Sequence, residues 1–190
     1  MAEPPPAPAD ELRRTLVELV SFLESRRIPY MIVGAMAVAV WGRPRATADI
    51  DVTLRIDRED LESLAEHFGS SGFLLDRQWL EWNPALRGHQ IRLTRGSVSV
   101  DAMRPRDAHE DAALARRRPV PVEGRTLWFV APDDLILMKL KAGRPRDFED
   151  AVTVLAAQRA SLDDAYLSDW AARLGISDEL TYVLGAAGPG

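Results

Sequence analysis

Cysteine is missing from this 190-residue chain, so disulfides, thiolate metal sites and cysteine nucleophiles are excluded, as suits a reducing cytoplasm. Long apolar runs are missing too, since no stretch approaches the roughly eighteen residues of a spanning helix. The start, Met1-Ala2-Glu3-Pro4-Pro5-Pro6, has neither the basic region nor the apolar run of a secretion signal. A cytoplasmic protein that does not engage a membrane is expected. Excess positive charge is also lacking. The net charge of -5 argues against a protein that coats nucleic acid, so any RNA binding would rest on a local patch. Arg104, Arg106 and Arg116-Arg117-Arg118 are one such patch, or else a solvated surface loop. The three histidines, His67, His89 and His109, have no ligand spacing, which speaks against zinc. Lysine is nearly absent: of 24 basic residues only Lys139 and Lys141 are lysines, leaving 22 arginines. Where arginine is the default cation, a retained lysine points to a need for a compact point charge, as on a triphosphate.

What is present begins with three aspartates on two expected strands. Asp49 and Asp51 lie in Thr47-Ala48-Asp49-Ile50-Asp51-Val52, and Asp101 ends Val98-Ser99-Val100-Asp101. Strand side chains alternate, so Asp49 and Asp51 project together while Ile50 and Val52 enter the core. Carboxylates so placed suit magnesium, which prefers oxygen ligands and keeps part of its shell for substrate phosphates. Upstream, Ile28 to Val33 reads as a buried strand, Gly34 as a turn, and Ala35 to Trp41 as a short apolar helix. Glycine there admits a close backbone approach, and the free N–H groups opening the helix suit a phosphate.

Gly34-Ala35, thirteen residues, then Asp49-Ile50-Asp51 resembles the signature of the DNA polymerase beta-like nucleotidyltransferase superfamily. The flanks Tyr30-Met31-Ile32-Val33 and Gly42-Arg43-Pro44-Arg45-Ala46-Thr47 are similar to its small bacterial members, the abortive-infection type toxins and minimal nucleotidyltransferases. So are Ala131 to Leu140 and Ala142 to Asp150. The resemblance spans roughly residues 28 to 155. It implies an α/β (α+β) fold, a polymerase beta-like core with a mixed β-sheet flanked by helices and a helical C-terminal segment. It also implies transfer of a nucleoside monophosphate from a nucleoside triphosphate to a hydroxyl, with two magnesium ions on Asp49, Asp51 and Asp101, and Asp101 able to take the acceptor's proton. Gly34, Ala35, Lys139 and Arg144 would meet the phosphates. The family's second Gly or Ser is Ala35 here, which removes a possible hydroxyl contact and leaves a backbone N–H. The implied acceptor is tRNA or a protein, in a toxin–antitoxin setting; other members modify small hydroxylated antibiotics. The alternative is a catalytically silent partner-binding module on the same fold, or a nucleotide sensor.

Several residues keep two readings. Lys139 meets phosphate or is a helix-surface lysine. Arg144 meets phosphate or pairs with Asp147 or Asp150, and Arg43 and Arg45 neutralise carboxylates or meet a phosphate. Asp147 reads as an N-cap and Asp150 as a first-turn residue of a helix to about Ala157. Trp79 and Trp82 fall in an irregular stretch and either stack a base or are buried. The remaining pattern predicts a disordered Pro/Ala-rich tail over 1–9 and one domain over 10–185, with helices over 10–26, 57–68, 132–141 and 161–184. Strands are predicted at 73–75, 90–93, 98–103 and 127–130, with a hairpin at Arg95-Gly96.

Overall fold

The computed structural model describes residues 8–188. In chain order its helices and strands are α1 (Pro8–Ser25), β1 (Tyr30–Ile32), α2 (Gly34–Trp41), β2 (Asp49–Leu54), α3 (Arg58–Phe68), β3 (Leu74–Leu75), α4 (Arg77–Trp82), β4 (Gln90–Arg95) and β5 (Val98–Met103). There follow α5 (Ala108–Arg116), β6 (Arg118–Val122), β7 (Arg125–Phe129), α6 (Pro132–Ala142), α7 (Pro145–Gln158), α8 (Asp164–Leu174) and α9 (Ser177–Ala186). This is the mixed α/β architecture expected. Helix α1 takes in Pro8 and Ala9, which the sequence assigns to the tail, and residues 1–7 lie outside the described residues. Two compact units are distinguishable where the sequence reads as one domain. The first holds residues up to Ile32 and Ala46–Arg106, the second Val33–Arg45 and the chain from Asp107 onward.

In the first unit five strands run in the order β3-β4-β5-β2-β1. The sheet is mixed, because β2 and β5 are parallel while the β1–β2, β3–β4 and β4–β5 pairs are antiparallel. Alternation along the strands sorts its two faces. Ile50, Val52, Leu54, Ile91, Leu93, Val98, Val100 and Ala102 are buried, and α1 packs on β2 and β5 while α3 packs on β3 and β4. Phe22 of α1 stacks on Phe68 of α3 with ring centroids 4.1 Å apart, and Phe73 meets Phe68 edge-on at 5.5 Å. The opposite face is left with the charged alternates. A two-residue turn, Gly96-Ser97, joins β4 to β5 with Gly96 at φ 58°, and Glu11 of α1 accepts hydrogen bonds from the Ser97 N–H (3.0 Å) and hydroxyl (2.6 Å).

In the second unit α6 is the central helix, packed against α2, α5, α7, α8 and α9. Accordingly it is buried nearly all round, from Pro132 to Leu137 and again at Lys139 and Leu140. Pro132 opens it, and Gly143 closes it in the left-handed region (φ 70°) with its N–H on the Lys139 carbonyl. The end of α2 rests on α7. Trp41 Nε1 donates to the Val130 carbonyl at 2.8 Å, and Gln158 donates to the Trp41 carbonyl at 3.1 Å.

The sequence reading marks neither α5 nor β6, the 161–184 stretch is two helices, α8 and α9, rather than one, and three further assignments change. The stretch around Trp79 is helix α4, whose N-cap Asp76 accepts from the Trp79 N–H. The run Arg116-Arg117-Arg118 is the end of α5 and the start of β6 rather than a surface loop. Arg116 pairs with Asp133 and Asp134 and lies over the Tyr166 ring, and Arg117 lies over Trp128. The N-cap of α7 is Arg144, not Asp147, and Asp150 falls beyond the first turn.

Candidate active site

The acidic strand begins with a brace: Thr47 Oγ1 donates to the Asp49 carbonyl and accepts from the Asp49 N–H, both at 3.2 Å. Asp49 is exposed, Asp51 half-buried and Asp101 only 8% exposed. The parallel register sets Asp51 directly opposite Asp101, and the antiparallel register sets Asp101 opposite Arg92. Three strands thus contribute one row on one face, Asp51, Asp101 and Arg92, with Asp49 two residues before Asp51 on the same face. Two of the expected carboxylates are neighbours, and the third shares their face.

Arg92 is the residue that sequence reasoning passed over. Its guanidinium grips Asp101 with two parallel hydrogen bonds, Nε to Oδ1 and Nη2 to Oδ2, both 2.7 Å. It also lies over the Trp79 ring at 4.8 Å, so Trp79 supports a cation in this structure. The Asp101 hydrogen bond raises the pKa of Arg92 despite partial burial, and Asp49 and Asp76 add to the effect. The signal was readable. A two-residue turn at Gly96-Ser97 pairs Arg95 with Val98, and counting outward pairs Arg92 with Asp101.

Three carboxylates on one face supply hard oxygen donors of the kind magnesium takes. In donor type the row suits such an ion. Among the described residues, however, no group of three or more His, Cys, Asp or Glu side chains is arranged to hold a metal.

The remaining expected residues lie in the second unit. Gly34 takes φ 62°, in the left-handed region where a side chain is strained, so the turn requires glycine. Ala35 follows it, buried, in the first turn of α2. Lys139 is neither a surface lysine nor open to an incoming anion. It is 7% exposed, and its ammonium donates to Asp147 at 2.9 Å and Asp150 at 2.8 Å. Arg45 completes Asp150 from the other side with two hydrogen bonds of 3.2 Å. Arg144, its side chain 75% exposed, donates to Asp147 at 2.6 Å, which realises the ion-pair reading of that residue. Burial works against the charge on Asp147, and hydrogen bonds from Arg144 and Lys139 outweigh it, holding the carboxyl below its ordinary value. The structure therefore gathers three cations, Lys139, Arg144 and Arg45, and two carboxylates, Asp147 and Asp150, into one ion-pair cluster.

Residues 12–169 match the family model described as "Nucleotidyltransferase of unknown function (DUF6036)". No curated protein matches the sequence. Among solved structures, an antigenic nucleotidyltransferase-like protein from Paracoccidioides brasiliensis aligns with a TM-score of 0.61 and 19% identity over 93% of each chain. ANT(2")-Ia in complex with adenylyl-2"-tobramycin aligns at 0.55 and 15% identity, over 85% of this chain and 95% of that one. The lincomycin-bound lincosamide antibiotic adenylyltransferase LnuA aligns at 0.51 and 12%, over 74% of this chain and 94% of that one. At such identities the likeness is one of fold.

Proposed function

The chain belongs to the DUF6036 family of nucleotidyltransferases, and from that premise we propose that it moves a nucleoside monophosphate from a nucleoside triphosphate to an acceptor hydroxyl, using magnesium. The observation that carries this reading is the placement of Asp51 beside Asp101 across two parallel strands, with exposed Asp49 on the same face. Asp49, Asp51 and Asp101 would hold magnesium, which when bound offsets the negative charge of the phosphates. The protein's own groups do the rest. Backbone N–H groups at Gly34 and Ala35 hold phosphate oxygens, and Asp101 is the base that accepts the hydroxyl proton, its reach depending on Arg92. Lys139, taken up by Asp147 and Asp150, holds that cluster together and is given no phosphate contact.

The acceptor we favour is a tRNA or a protein side chain in a toxin–antitoxin setting, from the family resemblance; the two antibiotic adenylyltransferase folds add small hydroxylated molecules to the panel. The second reading, a catalytically silent partner-binding module, is favoured by one observation: both oxygens of Asp101 already accept from Arg92.

The test is transfer of label from each alpha-labelled nucleoside triphosphate, with magnesium, to total tRNA, cell extract, an aminoglycoside and the protein itself, beside the Asp49→Ala/Asp51→Ala double variant. Label is expected with the wild type alone, and the double variant should melt at an unchanged temperature, because neither side chain is buried in the core. Equal labelling by the folded variant sinks the assignment. No label from any donor shifts the weight to the silent module.

A further inference from the structure

Asp101 is the group the proposed reaction needs open, yet Arg92 takes both of its oxygens. The pairing is built in at three levels. The tight turn at Gly96-Ser97 sets the register that places Arg92 opposite Asp101. Helix α4 lays the Trp79 ring against the guanidinium, a cation–π contact at 4.8 Å. Asp76 in turn ties down the start of that helix through the Trp79 N–H at 2.9 Å. The Arg92 and Asp101 side chains are 30% and 11% exposed, so their charges are only partly screened by water, and a bidentate arginine–carboxylate pair is among the stronger charge-assisted contacts.

We propose that Arg92 is a resident counter-cation of the carboxylate row, which weakens the row's hold on a divalent ion by itself and makes metal loading conditional on the nucleotide. This deepens the nucleotidyltransferase reading and rests on it. A fixed positive charge beside Asp101 repels a divalent cation placed at Asp49 and Asp51 and competes for the same oxygens. A triphosphate supplies the missing negative charge, so metal and nucleotide load together. Emptying of the row between turnovers follows from the same balance. Arg92 is thus a positioning residue that acts through Asp101.

The experiment measures manganese(II) retained by the full chain in equilibrium dialysis, where the free ion and its complex with the analogue are equal on both sides, with and without a non-hydrolysable triphosphate analogue. Without the analogue, Arg92→Gln should bind manganese about tenfold tighter than the wild type, since a nearby positive charge is removed. The gain should vanish when Asp49→Ala and Asp51→Ala are added, and the gap to the wild type should narrow when the analogue is present. Damage to the fold weakens a site, so a gain in affinity is a readout that a merely structural role for Arg92 does not produce. Equal or weaker binding by folded Arg92→Gln overturns the inference, while analogue-dependent binding by the wild type that requires Asp49 and Asp51 would leave the nucleotidyltransferase reading standing. Manganese bound by neither protein, even with the analogue, sinks both. Should Arg92→Gln fail to fold, Trp79→Leu removes the ring that braces the guanidinium. It should tighten binding in the same direction by about twofold, and no change there overturns the inference equally.

Discussion

Lys139 is one cation serving two buried carboxylates, and the whole cluster depends on it. Replacing it with Met leaves Asp147 to Arg144 and Asp150 to Arg45, and removing one partner of a buried ion pair is expensive. Lys139→Met should lower stability by about 3 kcal/mol in urea unfolding, whereas Arg144→Ala, with its side chain 75% exposed, should cost under about 1 kcal/mol. Equal effects would count against the cluster as described. The sequence marks Lys139 by the rarity of lysine, but its partners were not legible there. They stand eight and eleven residues later on α7, and they meet the ammonium only because the chain folds back at Gly143. The phosphate role that the resemblance suggests for Lys139 gave no hint that its charge is already balanced by protein.

At the scale of elements, the close approach of α2 to α7 hangs on a missing side chain. A Cβ added at Gly42 would lie 2.8 Å from Thr153 Oγ1 and 3.0 Å from the backbone nitrogen of Val154, and backbone cannot rotate out of the way. Gly42→Ala should therefore cost about 1–3 kcal/mol, the usual penalty for overpacking. Gly69 ends α3 with ordinary right-handed backbone and nothing within 4 Å of an added Cβ, so Gly69→Ala should be neutral or stabilise by up to about 1 kcal/mol. Urea midpoints of the two variants decide it, and a reversed order would contradict the packing. The elements missed in the sequence had weak or misleading signals. Helix α5 has a capping pattern, Asp107 accepting from the Glu110 N–H, but the arginine run after it reads as surface. Strand β6 carries Pro119 and Pro121, which normally argue against a strand. They are tolerated because alternate residues face their N–H groups the same way, and β6 pairs with β7 alone on its other side.

For the molecule as a whole, acid should be the main enemy. Asp147 is held below its ordinary value of 3.8, burial opposing the charge and Arg144 and Lys139 outweighing it. Asp107 follows the same pattern, burial opposed by Lys141 and the Glu110 N–H. Glu11 is lowered first by the Ser97 hydroxyl. For a carboxyl lowered by folding, the stabilisation is complete above the unfolded value and is lost as pH falls through the folded one. The melting temperature should thus hold steady near neutrality and fall as the pH drops below 3.8, and Asp147→Asn should flatten that slope. A slope identical in the variant would remove Asp147 from the account.

The amino-acid order by itself determined the acidic strand, the glycine turn ahead of it, most helices and the family to which they belong. Those features rest on short-range alternation, helical period and spacing, which act within one element or between neighbours. Tertiary structure alone decided what each charge faces: Arg92 on Asp101, Lys139 between Asp147 and Asp150, Arg45 on Asp150, Arg116 on Tyr166. The reason is physical. A charge takes whatever opposite charge the folded chain brings within hydrogen-bond reach, and strand register and helix return, rather than sequence distance, set that reach.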